Sequence, residues 1–275
     1  MSASSFPASP PRTLAEAALE ALATADPVAK CQRTFALSAA WRAGTLAADS
    51  APVPMPRRPA RPACPELRQP RDMPKRRRAG SPANRAALLH ALAHIELNAI
   101  DLAWDIVARF GHLFPAAFCD DWVQVADDEA RHFLALGERL AFYDAAYGDL
   151  PAHDGLWQAA EASSHDPAIR LAIVPMVLEA RGLDVTPAMW ESLEKVGDAT
   201  SADAIRVIHA EEITHVGAGQ RWFAYLCRQR NLPPVPTWQT LVQTHFKGKL
   251  KRPFNTRSRA QAGLTPDYYE PLATD

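Results

Sequence analysis

Cysteine is scarce in this sequence and never arranged as a site. The four (Cys31, Cys64, Cys119, Cys227) are scattered, with no C-x-x-C. That argues against a disulfide scaffold and a thiolate zinc site, and it fits a reducing, cytoplasmic setting. No apolar run approaches the length of a membrane span. The first residues, Met1 to Pro7, lack the charged and apolar regions of a signal peptide. Strand patterns of convincing length are missing, which leaves an all-α chain. A Gly-rich phosphate loop is missing too, and no Ser, Cys or Lys nucleophile arrangement has support. Neither sign of charge dominates: 30 Lys and Arg face 31 Asp and Glu, for a net charge of −1. Nothing global therefore argues for a nucleic-acid or membrane partner.

Apolar residues are plentiful. They make up 48% of 275 residues, enough for one large domain or a domain with an extension. Residues 1–49 read as an N-terminal helical extension. Its first dozen residues are small, Ser- and Pro-rich, and expected to be disordered. Thr13 and Glu16 then offer a capping box, and Asp26-Pro27 opens a second helix. Residues 50–80 carry prolines at 52, 54, 56, 59, 62, 65, 70 and 74, which excludes helix and central strand. This is an extended basic linker. Its run Lys75 to Arg78 could bind phosphate, but a solvated basic run is the preferred reading.

Residues 81–232 hold four long apolar-periodic segments. Ser81-Pro82 caps helix A, expected to run to Phe110 before Gly111. Pro115 opens helix B, expected to end near Tyr147. Residues 149–165 are a loop joining two hairpins. Asp166-Pro167 opens helix C, which Pro175 should disturb and Gly182 should end, with Thr186-Pro187 capping a fresh helix. Helix D is expected from about Ala202 to Arg230. Residues 233–275 form a tail that packs on the bundle, with a helical piece from Trp238 to Phe246.

Chemistry enters at Glu129 and His132, three residues apart and so on one helical face. Glu212 and His215 repeat the spacing. Glu96 and Glu179 each sit among apolar residues, 33 positions before the glutamate of their pair. Two hairpins, each offering Glu and then Glu-x-x-His, make the ligand set of a dinuclear metal site in a four-helix bundle. Six such groups could not share a core without cations. Carboxylate and imidazole suit iron or manganese. His209, Asp128, Asp203 and Glu211 lie near enough to orient ligands, although a solvent-facing role fits each as well. Glu211 competes with Glu212, and the relation to His215 favours Glu212. Met176, Trp190 and Trp222 are candidate apolar walls for a substrate pocket, or plain core.

The pattern resembles the ferritin-like di-iron carboxylate superfamily. More narrowly, Val177-Leu178-Glu179-Ala180-Arg181-Gly182-Leu183-Asp184-Val185-Thr186-Pro187 and Glu211-Glu212-Ile213-Thr214-His215-Val216 resemble a bacterial ferritin-like family of unknown function. Residues 80 to 230 carry the similarity, and the tail is included in it. The resemblance implies the same six ligands and a distant likeness to di-iron hydroxylases that modify tRNA. The expectation is therefore an O₂-dependent oxidoreductase with two iron ions, or manganese and iron. It would act on a small or RNA-borne substrate with help from an electron donor. The alternatives are a ferroxidase, a radical-generating cofactor protein, and a scaffold with a degenerate site.

Overall fold

The fold is taken from a computed structural model that describes residues 11–69, 72–73 and 79–274. The basic run Lys75 to Arg78 and residues 1–10 lie outside the described residues. The chain is all-α, as its patterning implies. It divides into two compact units. One comprises residues 1–65 and 93–134, the other residues 66–92 and 135–275.

In the first unit, α1 (Leu14–Ala23) starts at the expected capping box: Thr13 accepts from the Glu16 N–H, and Glu16 reaches back to the Thr13 N–H. Next comes α2 (Pro27–Arg42), capped by Asp26 with proline at its first position. The extended segment that follows is tied down by backbone: Ala60 N–H donates to the Leu22 carbonyl at 2.8 Å. Arg61 then reaches two residues of the long helix α3 (Pro82–Phe110), Asn98 and Asp101, both at 2.9 Å. Lys30 of α2 pairs with the same Asp101, and both are fully buried. Burial pulls the Lys30 ammonium below its usual pKa, and Asp101 opposes that pull. Further links join Trp104 to Thr34 at 3.0 Å, and Trp41 to Asp120 of α4 (Ala116–Phe142) at 2.8 Å. Contrary to the expectation that no apolar run is long enough, α3 could cross a membrane by length and composition, but 78% of its most apolar window is buried, as in a core helix.

The second unit corrects three expectations. Helix α4 ends at Phe142, not near Tyr147. The chain turns there because Tyr143 is engaged by Asp198 and by Arg85 at 2.9 Å, and Asp144 takes a positive φ of 52°. The joining loop contains a helix, α5 (Gly155–Ala162), which buries Trp157 and Ala160. Helix C does not stop at Gly182. It runs on as α6 (Pro167–Ile173), a π-helical segment Val174–Glu179, and α7 (Ala180–Glu194).

The expected disturbance at Pro175 takes the form of that wider turn. Gly182 and Pro187 lie inside α7, because α7 buries Ala180, Leu183, Thr186 and Leu193 and packs on α8 (Ala199–Gln229). That burial outweighs roughly 1 kcal/mol for a helical glycine and about 3 for a proline. Thr186 bonds back to the Gly182 carbonyl at 2.8 Å instead of capping a new helix. Pro187 cannot donate to the Leu183 carbonyl, and Asn255 of the tail does so at 3.1 Å.

Helix α8 begins at an Asp198 cap, slightly earlier than expected. Beyond it lie α9 (Pro234–His245), α10 (Thr256–Gln261) and α11 (Pro266–Tyr269). One two-residue parallel pairing sets Leu250–Lys251 beside Ala273–Thr274.

Candidate metal centre

Helix α3 sets Glu96 between Ile95 and Leu97. Helix α4 sets Glu129 and His132 one turn apart on the face that also buries Ala126 and Ala130. All three candidates are buried, with 2% or less of their surface exposed. His132 Nδ1 lies 3.3 Å from a Glu96 oxygen and 3.2 Å from a Glu129 oxygen. One ligand atom from each falls within 4.8 Å of the others.

This arrangement is electrostatically costly on its own. Burial, followed by the charge of Glu129 and a hydrogen bond with it, pushes the Glu96 carboxyl well above the usual carboxylate range, against the opposing pull of His132. Without a cation, that raised pKa favours the protonated form of Glu96. A divalent ion would do the proton's work and satisfy the imidazole as well. Two carboxylates and one imidazole, with no thiolate, are a donor set for a divalent metal ion. These residues fit a metal ion.

In the second unit, α8 buries Glu212 (8% exposed) and His215 (1%), with His215 Nδ1 at 3.7 Å from Glu212. Glu211 is only half-buried, in keeping with the choice of Glu212. Glu179 is half-buried at the last position of the π-helical segment. Among the described residues, Glu179, Glu212 and His215 do not close into a tight ligand cluster of their own.

The residues considered as orienting groups separate by environment. Asp128 is buried and accepts from Gln124 at 2.6 Å and from Arg131. Gln124 in turn accepts from Arg42 of α2 at 2.9 Å. Asp203 points to solvent beside Arg206. His209 spends both ring nitrogens elsewhere, on Thr186 at 2.7 Å and Ser258 at 3.0 Å. Burial lowers its pKa.

Among the candidate walls, Met176 is fully buried and Trp222 is 6% exposed. Trp190 meets His209 edge to face. One contributor escaped the sequence reading: Gly219 of α8. A Cβ there would lie 2.5 Å from the Pro175 ring, so only glycine lets the π-helical segment approach so closely. A proline one turn before a candidate ligand was the only available signal.

A family model described as protein of unknown function (DUF455) matches residues 23–270, and the chain belongs to that family. An uncharacterized protein of Haemophilus influenzae is 40% identical over 219 residues, 78% of this chain and 76% of its own length. No solved structure matches the chain.

Proposed function

We propose that this member of the DUF455 family is a dinuclear metal oxidoreductase of ferritin-like architecture that uses O₂ on an organic substrate. The observation that carries the reading is the buried Glu96–Glu129–His132 group, whose paired carboxylates call for a cation. In this reading Glu96, Glu129 and His132 serve one ion, and Glu212 belongs with the histidine of its own Glu-x-x-His pair. Glu179 and His215 serve the second ion, following the matched 33-residue intervals of the sequence. When bound, two ferrous ions, or manganese and iron, would supply two electrons to O₂.

The chain's own residues hold, orient and shield. Glu96, whose carboxyl favours its proton in the metal-free fold, gives it up on loading, so uptake releases a proton and strengthens as pH rises. His132 is held by the two carboxylates at 3.2 and 3.3 Å. The apolar residues beside Glu96 and Glu129 keep bulk water away from the ligands. The four cysteines are free, which supports a reducing, cytoplasmic compartment. The substrate, small or RNA-borne, and an electron donor are part of the proposal; a nucleic-acid partner is not favoured.

Anaerobic loading with ferrous iron tests the site: about two ions per chain should be retained, and retention of none would refute it. A single exposure to O₂ with ferrous iron in excess tests the chemistry. Oxidation should stop once the protein's own ions are spent. Sustained turnover into a soluble ferric core would favour the ferroxidase.

A further inference from the structure

Helix α7 is a poor helix by its own sequence. It follows a π-helical segment and contains Gly182, Thr186 and Pro187 within its first eight residues. Beside its packing on α8, the tail holds it there. The Asp184 side chain is fully buried and accepts from four donors. Arg259 gives two parallel bonds at 2.8 and 2.7 Å, the Asn255 N–H gives one at 2.9 Å, and Arg181 gives one at 3.2 Å. Asn255 also caps the Leu183 carbonyl that Pro187 leaves open. Arg181 reaches on to the carbonyls of Lys251 at 2.8 Å and Pro253 at 3.2 Å. His209 bridges Thr186 to Ser258.

The Arg259 guanidinium is 3% exposed. It lies 4.8 Å from the Phe254 ring centroid and 4.6 Å from that of Tyr269. A planar fork between two rings, paired with a buried carboxylate, has one geometry. On the α8 side, Gly219 receives Pro175. Residues 174–186 are thus gripped by α8 at one end and by the tail at the other, and Glu179 lies between the grips.

We propose that Asp184 and Arg259 form a latch through which the C-terminal tail positions Glu179. The tail thereby decides whether the second metal position is complete. Arg259 is a positioning residue, acting through Asp184 and α7. The part of this inference that concerns metal rests on the ligand assignment above; the latch itself does not.

Amide hydrogen exchange in the metal-free full-length chain tests the latch directly. In Arg259→Ala, peptides covering residues 174–186 should exchange roughly tenfold faster or more, while those from α1 and α2 stay unchanged. Low-millimolar guanidinium, filling the vacated slot, should restore protection. Arg259→Lys keeps the charge but loses the fork, so it should recover only part of it. Cobalt(II) titration read by visible absorption should fall from about two ions per chain to about one in Arg259→Ala, and recover with guanidinium.

Unchanged exchange over residues 174–186 would overturn the latch, whatever the metal does. Faster exchange with two full cobalt sites would overturn its role in positioning Glu179. If wild-type protein takes up fewer than two ions, the ligand assignment fails instead, and exchange still decides the latch. Should Arg259→Ala not fold, Asn255→Ala, which removes the bond to the Leu183 carbonyl and the cap that Asn255 sets on α10 at the Ser258 N–H, loosens the same tail contact and is read by the same exchange over residues 174–186.

Discussion

Glu96 is a carboxyl whose burial and neighbour both oppose its charge. Its pKa in the metal-free fold is raised above the unfolded value. The fold therefore binds the proton more tightly than the unfolded chain does. That contribution is complete below the unfolded pKa and is lost as pH rises through the folded one. The metal-free wild type should accordingly lose stability between mildly acidic and alkaline pH, and Glu96→Gln should lose less; melts of both across that range check it. With metal bound the order should reverse, since glutamine is a poor ligand. Glu129→Ala should abolish dinuclear uptake while leaving the metal-free protein as stable or slightly more so. Metal analysis beside a thermal melt reads both. Asp101 behaves differently because its partners are already cations. Asp101→Ala strands Lys30 and Arg61 and should cost about 3–5 kcal/mol, whereas Lys30→Met leaves Asp101 with Arg61 and should cost clearly less; denaturant titration separates them. The six candidate ligands were legible as residues because each Glu-x-x-His lies within one turn and because Glu96 and Glu179 sit among apolar neighbours. The Lys30–Asp101–Arg61 cluster was not, since no period relates residues 71 positions apart.

At the scale of elements, capped helix starts were readable, as were the ends of α3 and α8, but the ends expected near Tyr147 and at Gly182 were not. Thr13, Asp26, Asp166 and the helix-opening prolines act on their own first turn, so local chemistry suffices. An interior Gly or Pro signals a stop only if nothing else holds the helix. Packing of α7 on α8, and the Asn255 bond to Leu183, supply what the local sequence withholds. The π-helical segment depends on one further residue. Gly219→Ala would place a methyl 2.5 Å from the Pro175 ring, part of a closed ring on a packed backbone. It should cost about 1–3 kcal/mol and displace Glu179, lowering metal stoichiometry. Gly182→Ala meets nothing within 4 Å and should stabilise α7 by up to about 1 kcal/mol. Thermal melts of the two variants should move in opposite directions.

For the whole molecule, metal and folding are linked. Ions held at a hundred times their dissociation constant add about 2.7 kcal/mol per site. Chelation should therefore lower the melting temperature of the loaded protein, and Glu129→Ala should erase that shift. Charge sets the other expectation at this scale. With net charge −1 and a basic run lacking aromatic residues for stacking, tRNA should bind weakly. Tight binding that falls steeply with salt, and that is lost when Lys75 to Arg78 become alanine, would reverse that view. By itself the sequence determined that the chain is helical, where the long helices begin, and which glutamates and histidines are candidates. These follow from period and capping, which act within a few residues. Only the tertiary structure decided that Gly182 and Pro187 stay within a helix and that Pro175 opens a π-helical turn. The same holds for a tail arginine 75 residues away closing on Asp184, because burial and long-range pairing carry free energies larger than the local preferences they override.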